Sequence, residues 1–240
     1  MKLLLENWRE YLLSEGAKDI NDLPAGVKIK IDRTARGEWV ISYAAQYKTG
    51  GFIEGPWEYA HMHSDGTFDT NPSTSASKPM GRVYIDNNLQ RLNINSKCDG
   101  AFMVTSAEAQ SGWGPLLYDI AMEWATIKGG GLMPDRYSVS DSARAIWDYY
   151  LKKRAPGKDV EAHQLDNPEN ELTSTDTDNC EQDSAMKTSD EGWLSGPAPA
   201  ASGQETKWSD SALSKRYTKA PLRINALKSA NPPKIIIKDE

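Results

Sequence analysis

The sequence predicts a mixed α+β fold, and three changes of texture carry that prediction. Across residues 27–92 apolar and polar side chains alternate with the two-residue period of strands. Two later segments, residues 115–127 and 140–151, switch to the helical period. After Pro156 the composition turns polar and acidic, and too little apolar surface remains there to offset chain entropy. The expected architecture is a mostly antiparallel sheet flanked by helices, with an N-terminal helix before it and an irregular C-terminal extension after it. In residue numbers this gives an amphipathic helix over 1–16, a domain over 17–155, and an acidic irregular region with a basic tail over 156–240.

The first helix rests on Leu4, Leu5, Trp8, Leu12 and Leu13, which share one face, with Gly16 as its stop. That stripe must dock on the domain or on a partner. VKIKID alternates cleanly, and EWVISYAA follows after an Arg-Gly turn, so a hairpin is expected. WEYAHMH is a third strand candidate, residues 64–79 read as a loop, and GRVYID is the next strand. AFMVTS is nearly continuous in apolar residues, as a buried central strand would be. Pro115 suits a first helical position, and Leu116, Leu117, Ile120, Ala121, Trp124 and Ile127 form the stripe behind it until Gly129, Gly130 and Gly131 end the helix. A short strand is expected near residues 132–139. Ser140 then caps a helix striped by Ala143, Ile146, Trp147, Tyr150 and Leu151.

Charge divides the remainder. The whole chain of 240 residues carries 28 Lys and Arg against 34 Asp and Glu, a net of −6. Residues 156–210 hold three basic and thirteen acidic residues, a net of −10, and the last thirty reverse to +5. Exposed ion pairs contribute only about 0–1 kcal/mol each, so Tyr217, Leu222, Ile224 and Leu227 are expected to anchor the tail in a groove on this domain or a neighbouring subunit. The two ends are expected to serve partner binding, including oligomer formation, more than the core. KIIIK is an edge-strand candidate.

The net negative charge argues against nucleic acid or an anionic membrane as a partner of the molecule as a whole. No apolar run approaches the roughly 20 residues that span a bilayer, and the opening MKLLLENWREYLL is too broken by charge for a signal-peptide core. A soluble protein made inside the cell is expected. Cys98 and Cys180 stand far apart in sequence, so neither a disulfide framework nor a cysteine-rich zinc site is expected.

The stretch AQSGWGPLLYDIAMEWA deserves separate treatment because a strand, two glycines and a striped helix follow one another directly. The first amides of a helix lack intrahelical partners, the helix dipole favours negative charge, and glycine lets a phosphate approach the backbone. A tight corner would use the same glycines for steric reasons alone. The order of elements around this turn resembles that of the GNAT N-acetyltransferase superfamily, whose hallmark is (Q/R)-x-x-G-x-(G/A) between its fourth strand and third helix. The matching residues are Ala109-Gln110-Ser111-Gly112-Trp113-Gly114. The glycines fit, Ala109 stands where Gln or Arg is usual, and Pro115 removes an amide donor just after the loop. The resemblance covers about residues 27–155. It implies a GNAT-like sheet, acetyl-CoA as cofactor, and Gln110, Ser111, Gly112, Trp113, Gly114 and Leu116 as the residues around its pyrophosphate. It also implies transfer to a small-molecule or protein amine, with Tyr149 or Tyr150 as the acid that protonates the departing thiolate. A base must take the amine's proton. Glu54, Glu58 and Asp86 are the candidates, and Glu58 is placed with the catalytic set. Trp113 is either a core plug or a wall for adenine or pantetheine.

The opening residues, the "DNC" segment and "LSKRYTK" are similar to divergent tailed-bacteriophage proteins of acetyltransferase-like type. That similarity implies residence in the host cytoplasm, packaged in or attached to the virion, and an alternative role as a non-catalytic virion component that docks on other phage structural proteins. His61 and His63 share a strand face, but a metal needs a third fixed ligand, and exposed histidines are the simpler reading. Cys180 with His163 is a poor nucleophile pair, because its neighbourhood is strongly acidic. SKRYTK mixes cations with an aromatic ring, as nucleic-acid contacts do, yet it is short enough to be a solvated tail.

Overall fold

The computed structural model describes residues 17–49, 53–69, 77–88, 91–92, 98–136, 139–155, 159–165, 180 and 211–238. The expected helix over 1–16 and most of the acidic stretch lie outside the described residues. In chain order the elements are β1 (Val27–Arg33), β2 (Trp39–Thr49), β3 (Ile53–Tyr59), β4 (His61–Met62), β5 (Phe68–Asp69), β6 (Lys78–Pro79), β7 (Gly81–Asp86) and β8 (Phe102–Ala109). Then follow α1 (Gly114–Lys128), β9 (Leu132–Met133), α2 (Asp141–Tyr149), β10 (Val160–Gln164), β11 (Lys215–Lys219), α3 (Leu222–Ser229) and β12 (Ile235–Ile237). This is a mixed fold of few helices and mostly antiparallel strands, as the sequence predicts. No helix among the described residues is long and apolar enough to cross a membrane. Backbone contacts divide the described chain into two units, and the division falls within β8 and within α1.

One unit holds residues 86–104 and 122–220. Its strands run in the order β10-β11-β9-β8. β8 and β9 are parallel, with Phe102 opposite Leu132 and Met103 opposite Met133. A parallel pair needs a long crossover, which is why a full helix separates them in sequence. β11 lies antiparallel to both of its neighbours, Tyr217 opposite Leu132 on one side and opposite Ala162 on the other. Gly131 has a φ of +97°, and a Cβ there would lie 2.5 Å from the Tyr217 carbonyl oxygen, so only glycine lets β11 come this close. Ser140 caps α2 by accepting from the Ala143 amide at 3.2 Å. The buried face of α2 ends in Ile146 and Trp147, and a π turn carries the helix on to Arg154, with Tyr150 buried at its start. Trp147 stacks on Tyr217, ring centroids 5.2 Å apart and 25° between planes, and the Tyr217 hydroxyl donates to the Ala212 carbonyl at 2.9 Å.

Four sequence expectations are corrected in this unit. Tyr217 is completely buried, so the basic tail supplies core rather than a docking segment. The motif SKRYTK is strand β11 and its approach, with Arg216 donating to the Gly130 carbonyl at 2.7 Å and Lys219 inside the protein. Cys98 and Cys180 form a disulfide across 82 positions of sequence, because separation along the chain says nothing about separation in the fold. Both half-cystines are buried with Ala101, Met103, Met133 and Leu165. Ile127, placed on the buried stripe of α1, is exposed at its last turn.

Lys219 and Glu123 carry opposite charges into the interior of the unit. Both side chains are fully buried, and the Lys219 ammonium contacts the Glu123 carboxylate and lies 3.4 Å from Asp159. Arg154 closes the set with two bonds to Asp159, at 3.0 and 2.6 Å. Burial pulls the Asp159 carboxyl upward, but the hydrogen bonds from Arg154 and the Arg154 and Lys219 charges together hold it below the ordinary carboxylate value.

The other unit holds the described part of residues 15–85, with 105–121 and 221–238. Its strands run β8-β7-β2-β1-β12, and β3 pairs with the far half of β2. β1 and β2 pair antiparallel from Val27 opposite Ala45 to Arg33 opposite Trp39, which puts Ile29, Ile31, Ile41 and Tyr43 on one buried face. Val83, Ile85, Leu117 and Ile120 are buried core residues of the same unit. KIIIK supplies β12, which adds to β1 in parallel as the edge strand expected. Of the other tail anchors, Ile224 and Leu227 are fully buried on this domain, one of the two places expected for them, while Leu222 stays exposed. The loop expected over 64–79 contains β5 and β6, which flank β4 in a small antiparallel sheet. Two-residue strands are too short to leave a period in the sequence.

Removing one member of a buried ion pair strands the other's charge, at a cost of about 3–5 kcal/mol. Glu123→Gln is therefore expected to lower the free energy of unfolding in urea by about 3 kcal/mol. As pH falls below the unfolded carboxylate pKa toward the depressed value of Asp159, stability is expected to drop, and Asp159→Asn is expected to flatten that acid limb. Reduction of the disulfide, which closes a loop of 82 residues, is expected to remove up to about 4 kcal/mol in the same assay.

Candidate functional site

The glycine turn forms as a closed corner. Gly112 has a φ of +93°, a conformation that requires glycine, and lets the chain leave β8 and enter α1 within a few residues. The Gln110 amide donates to the Met80 carbonyl at 2.9 Å, and its side-chain amide reaches the Pro79 carbonyl at 3.3 Å. The Trp113 amide donates back to the Gln110 carbonyl at 3.1 Å, and the Gly112 carbonyl accepts from the Lys18 amide at 3.1 Å. Trp113 is buried, with its ring edge-on to Tyr43 at 5.3 Å, and the Tyr43 hydroxyl donates to the Trp113 carbonyl at 2.7 Å. Of the two roles open to Trp113, the core plug is the one it fills. Gly114 is buried at the start of α1, Leu116 is part of the core, and Ser111 is exposed. Gly81 serves the same corner: a Cβ there would meet Ala109 and Leu117, each at 2.9 Å.

The other expected site residues are distributed as follows. Tyr150 is buried, 5.2–6.3 Å being the range of ring spacings in its cluster with Trp147 and Tyr217. Tyr149 is half-buried and meets Tyr150 edge-on at 5.9 Å. Both belong to the first unit, whereas Glu58 and the turn belong to the second. Glu58 is an exposed residue of β3. Asp86, at the end of β7, is buried and held by Arg91, so it is an ion-pair carboxylate rather than a base at the surface. Glu54 lies in β3. His61 and His63 do not converge on a common ligand: His61 is 3.5 Å from the Ser77 hydroxyl, and His63 is 3.7 Å from Asp69. No group of three potential metal ligands occurs among the described residues.

Sequence reading missed a groove of about 540 Å³ in the second unit, lined by β1, β2 and β3 residues including Lys30, Asp32, Arg33, Ser42, Trp57 and Tyr59. Glu58 and His61 also line it. Strand alternation builds it. Lys28, Lys30 and Asp32 stand opposite Ala44, Ser42 and Val40, and these in turn stand opposite Tyr59, Arg82 and Tyr84. Directly paired residues share a face, so this set covers the side of the sheet away from Ile29, Ile31, Ile41 and Tyr43. Lys28 lies over Trp57 at 5.0 Å, and Lys30 pairs with Asp32 at 2.8 Å. The Arg82 guanidinium lies 5.1 and 5.6 Å from the rings of Tyr59 and Tyr84, and reaches Glu108 at 2.5 Å. The two tyrosine hydroxyls are 3.2 Å apart. Burial, first, and then the Tyr59 hydroxyl push the Tyr84 phenol up to about 12. For Asp32, burial acts upward, but Lys30, the Arg33 amide and Lys238 outweigh it and hold the carboxyl low. The signal in sequence was the polar half of the alternation in VKIKID and GRVYID, which carries as much information as the apolar half.

No family model, no curated protein and no solved structure matches this chain.

A buried tryptophan that fills core costs about 3–5 kcal/mol when cut to alanine. Trp113→Ala is expected to show a loss of that size in denaturant unfolding, whereas a wall residue of an open ligand site would show a loss near zero.

Proposed function

We propose that this chain is a divergent GNAT-type protein of a tailed bacteriophage that binds an acyl-coenzyme A and transfers the acetyl group to an amine. One observation carries the reading. β8 ends in a turn with a left-handed glycine, opens at once into α1, and the chain returns as β9 parallel to β8. That is the element order on which the family resemblance rests. In this reading the amides of Ser111, Gly112 and Gly114 face the pyrophosphate at the positive end of α1, since those of Gln110 and Trp113 are already bonded within the protein and Pro115 has none. The bound acyl thioester supplies the activated acetyl group. Glu58, which belongs to the same unit as the turn, receives a proton from the amine.

A second reading has its own support. The bonds inside the turn and the burial of Trp113 are those of a structural corner, and a disulfide persists in oxidising surroundings such as a virion surface rather than in a reducing cytoplasm. Here the chain is a non-catalytic virion component that keeps the fold to dock on other phage structural proteins.

Calorimetry with acetyl-coenzyme A separates the two. The first reading expects heat at micromolar to millimolar ligand, its loss in Gly112→Glu, and a transfer rate lowered at least about tenfold by Glu58→Gln. No heat at millimolar ligand, together with recovery of the chain among purified particle proteins, leaves the second reading alone.

A further inference from the structure

The polar face of the second unit is crowded with cations and rings. The chain's net charge of −6 conceals this, because residues 156–210 alone carry −10 and the remainder carries +4. Along β1 and the adjoining end of β12 stand Lys28, Lys30 and Lys238, the last joined to β1 by the hydrogen bond from its backbone amide to the Ile31 carbonyl. Beside them on β3 and β7 are Trp57, Tyr59 and Tyr84, all half-buried, with the Arg82 guanidinium against both tyrosines. The carboxylates on this face are Asp32, paired with Lys30, and Glu108, paired with Arg82, and the exposed Glu58 lines the same groove. Lys28 lies instead over Trp57. Excess positive charge beside a row of aromatic rings on an open sheet is the chemistry that holds a single strand of nucleic acid, phosphates on the cations and bases on the rings. An acidic peptide would use the cations and leave the rings without work.

We propose that this face binds single-stranded nucleic acid, with phosphates along Lys28, Lys30 and Lys238 and bases stacked over Trp57, Tyr59, Tyr84 and the Arg82 guanidinium. This site is independent of coenzyme A binding. A duplex is a poorer fit, because paired bases cannot reach the rings.

Fluorescence anisotropy of a labelled oligothymidylate of about twenty nucleotides, titrated with the full chain, tests the proposal. Oligouridylate in a parallel arm separates DNA from RNA. With three phosphate contacts, affinity is expected to fall about 20-fold between roughly 50 and 200 mM salt. Lys28→Gln with Lys238→Gln is expected to make that salt dependence shallower by one to two contacts' worth. Tyr84→Ala and Trp57→Ala are each expected to weaken binding about tenfold at fixed salt. Should either aromatic variant fail to fold, the charge variants and the duplex comparison still decide. Absence of binding to both oligonucleotides at about 50 mM salt would overturn the proposal. So would full competition by oligoglutamate combined with indifference to the aromatic variants, which would mark the face as a site for acidic peptides.

Discussion

The Lys219 ammonium, shut away from water, needs Glu123 from α1, and Asp159 before β10 stands close enough to share the charge. Taking such ions out of water costs several kcal/mol apiece, and only close, multiply bonded geometry offsets it. The rest of the first unit supplies that geometry. Arg154 holds Asp159, the Thr126 hydroxyl accepts the Lys219 amide at 3.0 Å, and Gly131 lets β11 lie flat against its neighbours. The fully buried Arg136 adds a bond of 2.6 Å to the Leu213 carbonyl at the entrance to β11. A buried ion pair is weak evidence for stability in itself, but it penalises every arrangement in which its partners do not meet. In this chain it selects the register in which a strand after residue 210 enters a sheet begun a hundred residues earlier.

That long-range constraint divides what was legible from what was not. The period-two strands and the two helical stripes are local patterns, and they appear close to the places read from the sequence: Val27–Arg33, Gly81–Asp86, Gly114–Lys128 and Asp141–Tyr149. Ser140 as a cap and Ile235–Ile237 as an edge strand were legible for the same reason. β11 was not. KRYTK carries three cations in five residues and reads as a tail, because its pairing partners lie some fifty and eighty residues away. The disulfide was hidden likewise. One local signal did exist: Glu123 sits in an otherwise apolar run, Ala121-Met122-Glu123-Trp124-Ala125, which leaves a charge no polar face to occupy.

The candidate site shows the same division. Glycine at the turn was legible, and its left-handed conformation agrees. Whether its amides, carbonyls and the Gln110 side chain were spoken for depended on Met80, Pro79, Lys18 and Tyr43, none of them near it in sequence. The groove on the polar face was overlooked because alternation was used to find the core, and the other half of the pattern was set aside as solvated. Yet the residues opposite the core, Lys28, Lys30, Arg82 and Tyr84, carry the most varied chemistry of the second unit.

The central structural claim is that β11 is an interior strand fixed by a buried ion pair. Native-state hydrogen exchange reads it directly. The amides of Tyr217 and Lys219 should exchange only with global unfolding, at the free energy shown by the middle of α1. Exchange of those amides at the rate of an open peptide, while α1 stays protected, would contradict the account and return the segment to the status of a tail.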